Sequence, residues 1–195
     1  VPWLKTEQKL GRLKFRRFSA GLDTSYSSQS PDTIAMIFMG ITTDRRLIVL
    51  DEKVYSNAEL DQPLAPSDTV TKFLEFLDRN QKEWGLARDV FIDSADQATI
   101  TELRKYKRLH GSIHNFLDAY KALQIIDRIK LQLGWIQQGC YLVADTCTEH
   151  IAELERYSWL EDKDEPEDRN DHTINASQYG WIPWRNLIGF EEDEK

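Results

Sequence analysis

Three runs rich in apolar and β-branched residues, 15–23, 33–41 and 46–55, follow one another with gaps of only nine and four residues. Gaps that short join neighbouring strands, so the runs read as an antiparallel meander. From residue 89 the pattern changes. DVFID (89–93) reads as a short buried strand, 95–109 as a helix, 140–144 as a last strand and 149–157 as a helix. Between them, Leu123, Ile126, Ile129, Leu133 and Ile136 fall at helical spacing in a helix expected over 117–138 and stopped at Gly139. An earlier helix carries Val70, Phe73, Leu74 and Leu77, with Ser67 or Asp68 as its expected N-cap and Gly85 as its stop; a final short one covers 172–181, before Pro183. A meander followed by alternating units implies an α/β or α+β fold with a mixed sheet flanked by helices, and α/β is the expected class.

The 195 residues are 41% apolar with six Trp, enough for one substantial core and too apolar for a disordered chain. The sequence holds 25 Lys and Arg against 33 Asp and Glu, a formal charge of −8. That total argues against an anionic partner until its distribution is read. Residues 161–171 contribute −5 and the tail 191–195 contributes −3, so the rest sums to zero. The acidic loop would then fence a site or repel DNA, and a net charge excludes neither partner. The start is basic, with the arm from Arg12 to Arg17 at its centre. Residues 1–14 lack an apolar period and read as an arm or linker, and an opening on Val1 suggests a piece of something longer. No apolar run approaches a membrane span and no signal peptide is present, so the expected place is the cytosol, with no membrane partner. Cys140 and Cys147 fit a reduced compartment. With His150, His110 and His114 they match no common zinc spacing.

Three places carry candidate chemistry. Asp23 ends the first strand run and Asp93 ends DVFID. Carboxyl ends of strands are where sites gather in α/β sheets, and carboxylate oxygens suit a hard cation. The competing reading is a loop or helix cap, which fits Asp96 best. The third place is the final helix, where His172 and Asn175 lie three residues apart and Asp171 and Asn175 four apart, so each pair shares a face. Acids at two strand ends facing a polar helix are the parts of a two-metal phosphodiesterase site, with Mg²⁺ or Mn²⁺ ions about 4 Å apart. Arg104, Lys105, Lys107, Arg108 and Lys121 are the basic candidates for DNA contact, against the alternative of a solvated helix face. Trp135, Trp159, Trp181 and Trp184 read as packing residues rather than stacking platforms.

VFIDSADQATITEL, DRI on a helix, ELERYSW and DHTINASQYGW, in that order after the meander, resemble the nuclease domain of a bacteriophage large terminase. The resemblance runs from about Phe15 to Trp181. It implies a ribonuclease H-like fold over 15–190, between the arm (1–14) and the acidic tail (191–195), and a metal-dependent endonuclease cutting concatemeric double-stranded viral DNA. It implies two Mg²⁺ or Mn²⁺ ions on Asp23, Asp93 and His172. Asn175 stands where the family has a third acid, leaving Asp171 or Asp96 to compensate. The implied partners are double-stranded DNA, an ATPase domain in the same full-length chain, the small terminase subunit and the portal protein, in the host cell cytoplasm. No GxxxxGK[ST] loop occurs in this sequence. Another ribonuclease H-like enzyme, such as a resolvase or transposase, and a catalytically weak docking or regulatory module of the motor are the competing readings.

Overall fold

The computed structural model describes residues 3–4, 13–25, 33–56, 64–120, 123–158 and 171–190. The meander forms as expected: β2 (Phe15–Ser25), β3 (Thr33–Thr42) and β4 (Leu47–Ser56) pair antiparallel in sequence order. β5 (Asp89–Ile92) and β6 (Asn115–Asp118) add in parallel beyond β2, and β7 (Tyr141–Ala144) in parallel beyond β4. Within the expected arm, β1 (Trp3–Leu4) pairs with Val143 and Ala144 of β7 and lies at the edge. The sheet order is therefore β1-β7-β4-β3-β2-β5-β6.

Helices cover both faces. They are α1 (Pro66–Glu83), α2 (Gln97–His110), α3 (Ile125–Gln137), α4 (Thr148–Ser158) and α5 (His172–Trp181), followed by a 3₁₀ turn, Ile182–Leu187. β3 is central and alternates between two cores. Ile34, Met36 and Phe38 join Phe73 and Leu77 of α1 and Ile100 and Leu103 of α2 on one face. Ala35, Ile37, Met39 and Ile41 join Trp135 of α3, Leu154 of α4 and Ile174 and Trp181 of α5 on the other. Burial on both sides explains why the strand reads as nearly continuous apolar sequence.

Three sequence expectations are corrected. The helix expected over 117–138 begins only at Ile125; Leu117 and Asp118 belong to β6, and the backbone N–H of Asp127 bonds the carbonyl of Gln124 to open the first turn. Its buried face follows the apolar stripe only in part: Leu123 and Ile136 pack against the core, but Ile126 is exposed, while Arg128, Gln132 and Trp135 turn inward. Helix α1 starts at Pro66, with Ala65 as N-cap, and Asp68 accepts from the Ala65 N–H. Proline at the first position presets the helical φ and has no N–H to leave unpaired.

Candidate active site

Adjacent parallel strands bring the first two candidates together. Leu22 of β2 pairs with Ile92 of β5, and the Asp93 N–H donates to the Leu22 carbonyl at 2.9 Å. Leu22 and Ile92 both point into the core under α1 and α2. Alternation along a strand then sends the neighbouring Asp23 to the opposite face, under α5. Both carboxylates are nearly buried, with Asp23 2% and Asp93 7% exposed, and Asp93 accepts from the Ala95 N–H at 3.1 Å.

Helix α5 lies directly on the β2 backbone at this point. The Ser19 hydroxyl donates to the Gly180 carbonyl at 2.7 Å, and Gly21 leaves room for the Ala176 carbonyl. The helix thereby presents His172 to Asp23, with His172 Nδ1 3.1 Å from Asp23 Oδ2. Burial opposes charge on the ring, but the hydrogen bond and charge of Asp23, with Glu153 and Asp171 behind it, outweigh burial and raise the His172 pKa above 6.5. The contact with Asp23 thus holds the ring at Nδ1.

Tyr179 is the site residue that sequence reasoning passed over. Two turns after His172 it reaches the same side of α5, and its phenol hydrogen-bonds Asp23. Burial first, then the charges of Asp23 and Asp93, push its pKa up, so it stays a neutral donor; Arg128 opposes the shift. Its i+7 spacing from His172, in the DHTINASQY run, was the available signal. Asn175 lies on this helix but its amide donates to Asp171 Oδ1 at 3.1 Å. Asp96 is a helix cap, accepting from Thr99 N at 3.0 Å and from the Thr24 hydroxyl at 2.7 Å. Thr24 alternates with Asp23 and so faces away from α5, which removes Asp96 as a substitute for a third acid. Among the described residues no group of three or more His, Cys, Asp and Glu side chains is gathered closely enough to hold a metal ion. The chain offers a pair of carboxylates instead, which fits Mg²⁺, an ion that keeps several waters and takes one or two carboxylates.

No protein-family model matches the sequence, and no curated protein matches it. Solved structures do. The large terminase of one thermophilic bacteriophage aligns over 97% of this chain at 16% identity, with a TM-score of 0.68, the match covering 42% of that chain. The large terminase nuclease of another thermophilic phage, G20c, solved with bound zinc, aligns over 87% of this chain and 84% of that one at 11% identity, with a TM-score of 0.51. The fold is that of a phage terminase nuclease. It is the ribonuclease H-like mixed sheet that the sequence pointed to. The chain spans under half the length of the first of these terminases.

In this terminase-nuclease fold the basic candidates do not gather at the carboxylates. Arg104 donates to the Phe116 carbonyl and to Asp118, and Lys107 to the His114 carbonyl and Asn115 Oδ1 at 2.8 Å each, so both pin β6 to α2. Lys105 lies 3.7 Å from Glu102. Arg108 lines an open groove with Thr101, Arg104 and Lys107. These residues sit on α2, over the sheet face opposite α5. Lys121, Arg12, Trp159, the tail and all of the acidic loop except Asp171 lie outside the described residues. Trp135 and Trp181 pack edge to face at 4.8 Å, and Arg17 stacks over Trp184. Cys140 and Cys147 are free and buried, while both ring nitrogens of His150 are hydrogen-bonded. No helix among the described residues is long and apolar enough to cross a membrane.

Proposed function

We propose that this chain is the nuclease domain of a DNA-packaging terminase, a metal-dependent endonuclease that cuts concatemeric double-stranded viral DNA in the host cell cytoplasm. The observation that carries this reading is the pair of buried carboxylates, Asp23 and Asp93, at adjacent strand ends under α5. Two carboxylates removed from water are costly unless a cation balances them. Asp23 and Asp93 would hold Mg²⁺ or Mn²⁺ ions, two in the complete site, with Asn175 contributing its amide oxygen and His172 its Nε2. When bound, such ions supply charge to the phosphoryl oxygens and activate water for in-line displacement. Asp23 fixes the His172 ring through Nδ1 and so orients Nε2 as a ligand. Tyr179 holds the other side of Asp23 without adding charge.

The match covers 42% of the large terminase aligned over nearly all of this chain, and the remainder of a full-length protein would supply the ATPase. The small subunit and the portal are then the other partners. Phosphate contact falls to Arg104, Lys105, Lys107, Arg108 and Lys121 if the duplex wraps the β6 edge, which requires Arg104 and Lys107 to exchange their present acceptors for phosphate.

Incubated with supercoiled plasmid and Mn²⁺ or Mg²⁺, the protein nicks and linearises the DNA, and a chelator stops it; intact plasmid at high protein concentration would sink the nuclease reading. Asn175 favours one rival, the catalytically weak docking module, because an amide bonded to Asp171 brings no charge. Asn175→Asp is therefore expected to tighten Mn²⁺ by about 10-fold, as gaining a charged oxygen donor would. Isothermal titration measures it, and unchanged affinity would show that position 175 does not face the ions.

A further inference from the structure

The start of α5 is held by a chain of buried polar groups that the proposed chemistry does not use. Its own N-cap residue, Asp171, makes no side-chain cap. The cap comes from α4: Glu153 Oε2 accepts from Thr173 N at 2.9 Å, Thr173 Oγ1 at 2.5 Å and Ile174 N at 3.1 Å. Behind Thr173, His150 Nδ1 lies 2.9 Å from Thr173 Oγ1, and His150 Nε2 lies 2.7 Å from the Tyr141 hydroxyl. All four side chains belong to buried residues.

Counting protons gives the chain a direction. The Thr173 hydroxyl has one proton and gives it to Glu153, so toward His150 it only accepts. His150 must then carry its proton on Nδ1, and its Nε2 must accept from Tyr141. Burial agrees, since it holds His150 neutral with a pKa of about 3. Glu153 ends the chain as the acceptor; burial pushes it up to about 7 against the pull of its hydrogen bonds, so above that pH it is the carboxylate. The relay from Tyr141 of β7, whose hydroxyl also lies 3.4 Å from Ser177 Oγ, through His150 of α4 and Thr173 thus ends on one Glu153 oxygen, at the helical turn that follows His172.

We propose that Glu153, through its one-directional relay with Thr173 and His150, is a positioning residue that holds His172 against Asp23. The proposal rests on the reading of Asp23, Asp93 and His172 as the reaction centre. A helix start free to shift by an ångström would break the 3.1 Å contact of His172 with Asp23, whereas a turn fixed by three bonds to one carboxylate keeps it.

The test uses Thr173→Val, which keeps shape and removes the hydroxyl, and Thr173→Ser, which keeps the hydroxyl. At pH 8, Thr173→Val is expected to lower kcat for plasmid cutting by about 10–100-fold with KM unchanged, the scale seen when a group supporting a site residue is lost. Thr173→Ser restores most of the rate. In a His172→Ala background Thr173→Val adds no further loss, because its effect passes through His172. An unchanged rate in Thr173→Val, equal damage in Thr173→Ser, or additive losses would each overturn the proposal. Should Thr173→Val fail to fold, Glu153→Gln is read in the same cycle, with a loss of at least about threefold expected and none in the His172→Ala background. Nitrogen-15 NMR without DNA or metal separates this from the nuclease reading. The His172 imidazole N–H signal is present in the parent protein and in Thr173→Ser and lost in Thr173→Val; if it persists in Thr173→Val the relay does not position His172, whether or not the protein cuts DNA.

Discussion

Asp93→Ala is expected to slow plasmid cutting by at least about 10³-fold while leaving the fold intact, the scale on which a single dominant electrostatic group in an active site acts. Asp93 is 7% exposed, follows β5 directly beside β2, and is one of the two carboxylate charges acting on Tyr179. The nearby acids cannot replace it. Asp96 is committed to Thr24 and Thr99, and Asp118 to Arg104 and Gln97, on the side of the sheet away from α5. Folding should survive, because the hydrogen bond that the Asp93 side chain accepts from Ala95 is local to one turn. Asp93→Asn keeps that acceptor and should be as inactive as alanine, which separates loss of charge from loss of the turn. Nicking rates with Mn²⁺, paired with thermal melts of each variant, measure both effects. Cutting within tenfold of the parent in either variant would remove Asp93 from the reaction.

What the sequence made legible was what is written locally. The meander was readable because strand runs and short gaps leave few other arrangements, and the position of Asp23 and Asp93 near strand ends because each closes an apolar run; their proposed role came from the resemblance. Helix α5 was readable to the residue, between an acidic loop and Pro183. β6 was not, since NFLD is four residues long and polar at both ends, and only pairing with β5 makes it a strand. The stripe on α3 held only in part, for a related reason. Periodicity identifies a helix but not which face is covered, and Arg128 turns inward where its Nε reaches the Leu123 carbonyl. Long-range partners left no trace at all. Glu153 caps a helix twenty residues away, and Lys107 and Arg104, which look like a basic patch, hold an edge strand.

Gly21→Ala should be the most destabilising glycine-to-alanine change among the described residues. A Cβ at Gly21 would stand 1.8 Å from the Ala176 carbonyl oxygen and 2.8 Å from its carbon, both backbone atoms of α5. A side chain in that place would rotate aside; a helix carbonyl moves only with the helix. Overpacking of flexible cores costs about 1–3 kcal/mol, and a rigid obstacle belongs at or above the top of that range. At about 2–4 °C per kcal/mol for a domain of this size, Tm should fall by roughly 6–12 °C or more. The same displacement draws His172 and Tyr179, both carried by α5, away from Asp23 on the same strand, β2. Cleavage should therefore fall even at temperatures where the variant remains folded. Gly134→Ala is the contrast: it lies within α3 with nothing inside 4 Å of the added Cβ, so alanine should be neutral or add up to about 1 kcal/mol. Equal melting temperatures for the Gly21 and Gly134 variants would mean that α5 does not rest on the bare backbone of β2, and with that contact would go the means by which His172 reaches Asp23.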